Sequence, residues 1–107
     1  MRMTIRFTIA LVMALCLTNA ACFAQSTGET TYKAKCQSCH GATGLADTVI
    51  GLAMKVKPVS DPEVRKCTEA TMVDATRNGM GKMQAFKDKL TDAEIRSSVA
   101  YFRTLVK

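Results

Sequence analysis

Residues 36–40 read Cys-Gln-Ser-Cys-His, and no other run constrains the chain so strongly. Two thiols three positions apart share one tight turn, and an imidazole follows at once. That spacing is the attachment signature of a c-type haem. Both thiols can add to vinyl groups on one edge of a porphyrin, while the adjacent imidazole comes to lie under the iron as its proximal ligand. Cys36 and Cys39 are therefore the candidate haem thioethers, and His40, the sole histidine of the chain, is the candidate proximal ligand.

The N-terminus supplies an address. Met1 to Arg6 carries Arg2 and Arg6 and no acid, and Phe7 to Leu17 is apolar apart from Thr8. Such a run falls well short of the ~20 residues a membrane-crossing helix needs. Small residues follow as far as Ala24. This is the pattern of a secretory signal peptide cut after Ala24. It divides the chain into a signal peptide at 1–24 and one domain at 25–107, periplasmic or otherwise exported, with no stable membrane insertion once the signal is removed. The competing uses are an uncleaved N-terminal anchor and a lipoprotein cut before Cys22. The second lacks the aliphatic residue usual ahead of Ala20-Ala21.

A domain as short as 25–107 builds a marginal apolar core alone, and small domains of this size usually carry a staple. A covalently held haem is such a staple, a large flat apolar body for side chains to pack on. The cysteine count agrees. Cys16 and Cys22 leave with the signal, Cys36 and Cys39 take the haem, and Cys67 remains, so no even disulfide set exists. Zinc would need four ligands. Cys67 would have to complete the set, and adjacent Cys39 and His40 cannot easily both face one ion.

The domain reads as all-α, with no strand-like alternation bounded by turns. Residues 28–38 make a first helix leading into the haem turn, broken by Gly41-Ala42-Thr43-Gly44. From Leu45 to Lys57 the apolar residues keep no clean period, which predicts a loop with a short turn. Asp61-Pro62-Glu63 marks the entry to a short helical turn. Thr68 caps a helix ended by Asn78-Gly79. The last helix is the best marked: Thr91 as N-cap, Glu94 as the reciprocal acid, and Leu90 with Ile95 as hydrophobic staple.

The second iron position has five candidate side chains: Met54, Met72, Met80, Met83 and Cys67. Met72 reads as helix packing and Met54 as loop wall. Met80 and Met83 share the glycine-rich loop Gly79-Met80-Gly81-Lys82-Met83, which can bring a flexible thioether over a porphyrin. Spacing alone does not choose between these two.

From Gly28 onward the chain resembles the small bacterial class I c-type cytochromes. Gly28, Tyr32, Cys36-Gln37-Ser38-Cys39-His40-Gly41, Arg77-Asn78-Gly79, Gly81-Lys82-Met83, Phe86 and Tyr101 carry the resemblance. It implies the cytochrome c fold, three to five short helices wrapped around one covalent haem c. It also implies export, since such cytochromes mature outside the cytoplasm. The resemblance places the distal axial ligand on Met83 and has Gly28 let the first and last helices cross near Tyr101. The chain departs from the pattern twice. Gln84 follows Met83 where the family usually has proline, which would stiffen the loop. A proline is also missing near Val49, whose carbonyl in the family orients the proximal imidazole.

His/Met ligation closes the iron to substrate and implies a monohaem carrier of single electrons, not an enzyme. A thioether favours the reduced state. The alternative is a haem enzyme or gas-binding sensor with a displaceable Met83. Against it stands the lack of a second histidine for the distal side. Without Arg2 and Arg6 the chain keeps thirteen of its fifteen basic residues against all nine acidic ones. Lys33, Lys35, Lys55, Lys57, Lys82, Lys87 and Lys89 fall in segments expected around the haem edge. Such a rim would steer a monomer onto acidic patches of redox protein partners. Nucleic acid is excluded as a partner, because no basic-aromatic interleaving is present.

Overall fold

The computed structural model describes residues 27–106. The signal peptide expected at 1–24 lies outside the described residues. Among the described residues the secondary structure is helical, apart from a single antiparallel bridge between Met80 and Met83. Six helices follow in order: α1 (27–35), α2 (Gln37–His40), α3 (Val49–Ala53), α4 (Pro62–Lys66), α5 (Glu69–Asn78) and α6 (Asp92–Thr104). The count exceeds the three to five expected, because Cys36 interrupts the first helix and α3 forms where only a turn was expected.

Alpha-helix α3 forms for a local reason. The Thr48 hydroxyl accepts from the Gly51 N–H at 2.9 Å, an N-cap that satisfies one orphan donor of the first turn. No helical period shows in the sequence because most of α3 faces outward, and Gly51 alone is buried in it. Caps decide the other helices too. Asp61 caps α4 with Pro62 at its first position. Thr68 caps α5. Thr91 and Glu94 close a complete capping box on α6.

The core has two halves. In the first, Tyr32 of α1 meets Tyr101 of α6, with ring centroids 5.3 Å apart. Gly28 allows this crossing. A Cβ there would stand 2.2 Å from the Ser97 carbonyl oxygen and 3.3 Å from Tyr101 Cβ, so α1 lies directly on the α6 backbone. In the second half, Val73 of α5, Phe86, Leu90, and Ile95 and Val99 of α6 form one buried cluster. The staple residues Leu90 and Ile95 both belong to it. Arg77 of α5 reaches Asp92 of α6 at 3.0 Å, an exposed pair worth little beyond positioning.

Candidate haem site

The haem turn is held by its carbonyl oxygens. Thr48 donates its hydroxyl to Ser38 O at 2.7 Å, the Ala46 N–H donates to His40 O at 2.9 Å, and the Tyr32 hydroxyl donates to Gly41 O at 2.7 Å. Three carbonyls of one turn are thus bonded from the α3 cap, the connecting loop and α1. Gly51 lets α3 lie against the same turn, since a Cβ there would stand 2.4 Å from Cys39 O. Ala46 adopts φ 53° to make its bond, a conformation costing an alanine roughly 1–2 kcal/mol. Strain of this kind persists where surroundings over-determine the backbone. Here the buried Ala46 sits between His40 and Gly51.

Cys36 and Cys39 are half-buried and form no disulfide among the described residues. Burial, then the neighbouring Cys39, pushes the Cys36 thiol up to about 11, so it stays protonated at neutral pH. Burial lowers the His40 pKa, which keeps its imidazole neutral and its lone pair available. The ring stands edge-on to Phe102, centroids 5.3 Å apart at 68°, and Phe102 in turn stacks on Tyr32 at 6.1 Å. His40 Nδ1 is buried with no hydrogen-bond partner among the described residues. Val49, near which the family's proline would stand, is 86% exposed. Two half-buried thiols and a neutral, partly buried imidazole on one clasped turn fit a covalently held haem.

Met83 lies in the second half of the core. It is half-buried and packs, with Met72, against the Val73–Phe86–Leu90–Ile95–Val99 cluster. What joins Met83 to the haem turn is α6, which carries Phe102 against His40 and Ile95 and Val99 in the Met83 cluster. Phe86 N–H bonds Thr76 O at 3.0 Å and Lys87 N–H bonds Arg77 O at 3.1 Å, anchoring the loop after Met83 to α5. The remaining sulfur candidates lie outside that cluster. Met54 ends α3. Cys67 ends α4, half-buried, with its Sγ 3.4 Å from Glu63 O. Met80 is 67% exposed.

The carbonyl clasp was not legible in the residue pattern. Thr48 ahead of an apolar run was the one available signal, a threonine N-cap hidden by the loose periodicity of Leu45–Lys57. Phe102 carries no sequence signal beyond its helical spacing from Val99 on the last helix. The expected basic rim is partly consumed by local pairs: Lys33 with Glu29, Lys57 with Glu63, and Lys89 with Gln84 and over the Phe86 ring.

The family described as cytochrome C oxidase, cbb3-type, subunit III matches residues 23–102. The chain belongs to this family of c-type cytochrome domains. It is 31% identical over 80 residues to the cbb3-type cytochrome c oxidase subunit CcoP of Azospirillum brasilense. It is 33% identical over 85 residues to the CcoP subunit of Azospirillum sp. strain B510. Each alignment covers 73% of this chain but 27% of the relative, so the chain spans about a quarter of the length of these relatives. Among solved structures, the KustC0563 c-type cytochrome superposes with a TM-score of 0.68 at 28% identity, covering 75% of this chain and 98% of the other. The chain is a c-type cytochrome with the cytochrome c fold, it carries haem c, and its class of work is electron transfer.

Proposed function

We propose that this chain is a soluble, exported single-electron carrier in which Cys36 and Cys39 hold one haem c by thioethers and His40 and Met83 occupy its axial positions. The observation that carries the reading is the clasped turn, with a neutral, partly buried His40 held by its neighbours' carbonyl bonds and wedged against Phe102. When bound, the haem supplies the one-electron Fe(III)/Fe(II) couple. The residues supply rigidity. Tyr32, Thr48 and Ala46 fix the turn so that His40 keeps one orientation in both oxidation states. Met83, packed on the α5–α6 cluster, contributes a neutral thioether that favours the reduced state. Low rearrangement between the two states is what fast electron exchange requires.

The relatives are subunits of cbb3-type oxidases, which supports a membrane-bound respiratory complex as the partner class. No helix of the described residues is long and apolar enough to cross a membrane. Lys82, at the tip of the Met80–Met83 hairpin, and Lys87, beside Phe86, make no ion pair within the described residues. They are suited to steering a monomeric carrier onto acidic patches of redox partners.

A visible spectrum tests the reading. The oxidised protein should show the weak long-wavelength charge-transfer band of thioether–iron ligation, and the reduced protein should not bind CO. High-spin features with ready CO binding would replace the carrier by an open-iron enzyme or gas sensor.

A further inference from the structure

Met80 and Met83 exchange both backbone hydrogen bonds, Met80 N–H to Met83 O at 3.1 Å and Met83 N–H to Met80 O at 2.9 Å. The two-residue turn between them has Gly81 at φ 57° in its first central position, where hairpins of this length favour glycine. Residues that exchange both bonds in an antiparallel pair stand directly opposite, Cα atoms about 5.5 Å apart, with side chains on the same face of the ribbon. Two thioethers therefore leave one face of one hairpin. Met83 is packed on the core cluster. Met80 is 67% exposed and takes no part in that cluster, so packing does not account for it.

Met80 lies between two positive-φ glycines, Gly79 at φ 80° and Gly81 at φ 57°. The segment after Met83 is pinned to α5 only from Phe86 onward, and Gln84 is tethered by its side chain to Lys89. Methionine has three rotatable bonds and adapts to irregular sites. The Cβ atoms of such a pair start about 4.5–5.5 Å apart, and the reach of a thioether side chain covers much of that separation.

From this geometry we infer that Met80 is a reserve axial ligand. When the Met83 sulfur leaves the distal position, the Met80 thioether swings in and takes it. One iron–sulfur bond breaks and one forms, with no change in oxidation state and no proton gained or lost. The inference rests on the proposed Met83 ligation and adds a second binding residue to the same site.

Replacement of each sulfur in the full holoprotein tests it. Met83→Leu keeps the packing on the Val73–Phe86 cluster while removing the sulfur. It should retain the thioether charge-transfer band, at altered position or intensity, and should keep a reduction potential near that of the parent. Met80→Leu combined with Met83→Leu should lose the band, lower the potential and bind CO when reduced. Loss of the band in Met83→Leu alone, with haem content intact by the pyridine haemochrome assay, would overturn the reserve role and leave the Met83 assignment standing. Retention of the band in the double variant would overturn it too, since a third group would then be the ligand. Loss of the band in Met80→Leu alone would overturn the Met83 assignment, and the reserve role with it.

Discussion

Phe102 stands edge-on to the His40 imidazole, ring centroids 5.3 Å apart, and it does so from the helix whose Ile95 and Val99 belong to the Met83 cluster. One helix therefore braces both proposed axial ligands. A displacement of α6 would be felt at both residues at once.

Phe102→Ala should lower stability by about 2–3 kcal/mol, just under the range for fully buried rings because this ring is half-buried. A urea titration of the holoprotein would show the midpoint falling at unchanged slope. A variant as stable as the parent would mean that the ring contact does not brace the turn.

Tyr32 links stability to alkaline pH. Burial first, then Cys36 and Tyr101, raises its pKa above the ordinary 10.0. The folded protein keeps Tyr32 protonated where the unfolded chain would ionise. Its contribution is thus fully present below pH 10 and declines as pH rises toward the folded value. Tyr32→Phe should cost about 1–2 kcal/mol at neutral pH, because Gly41 O loses its donor. It should also flatten the decline above pH 10, and denaturant midpoints measured across pH would reveal an unchanged decline if Tyr32 were not its source.

Gly28→Ala should cost about 1–3 kcal/mol through overpacking, since the new methyl would lie 2.2 Å from Ser97 O and must push α1 off α6. Denaturation midpoints of Gly28→Ala and Gly28→Val should fall in that order. Equal stability in all three chains would show that the helices separate at no cost.

Gln84→Pro should raise the temperature at which the thioether band disappears. Restricting the unfolded chain contributes about 0.4–1 kcal/mol where the backbone accepts proline, against loss of an exposed side-chain bond to Lys89. Thermal melts followed at the charge-transfer band measure this, and an earlier loss of the band would mean that position 84 rejects proline's φ.

Much of this protein could be read residue by residue because its signals are local. Cys36, Cys39 and His40 are spaced as the proposed covalent attachment to a porphyrin edge requires. Thr91, Glu94, Leu90 and Ile95 build a helix start within six residues, and the structure has that start as the pattern requires. Gly28 was legible as a crossing point only through resemblance, since a glycine in a helix does not say what lies above it. Helix α3 escaped because its outward residues obey no period, and its buried member, Gly51, has no side chain to reveal a buried face.

By itself the sequence determined the Cys36–His40 motif, the helical class and the capped final helix, all products of chemistry within a few residues. Tertiary structure decided which distant groups complete the site: Tyr32 on Gly41, Thr48 on Ser38, Phe102 on His40, and Met80 opposite Met83. The physical reason is that an unpaired carbonyl or an open ring face can be satisfied by many residues. Only chain closure selects the one that arrives within bonding distance.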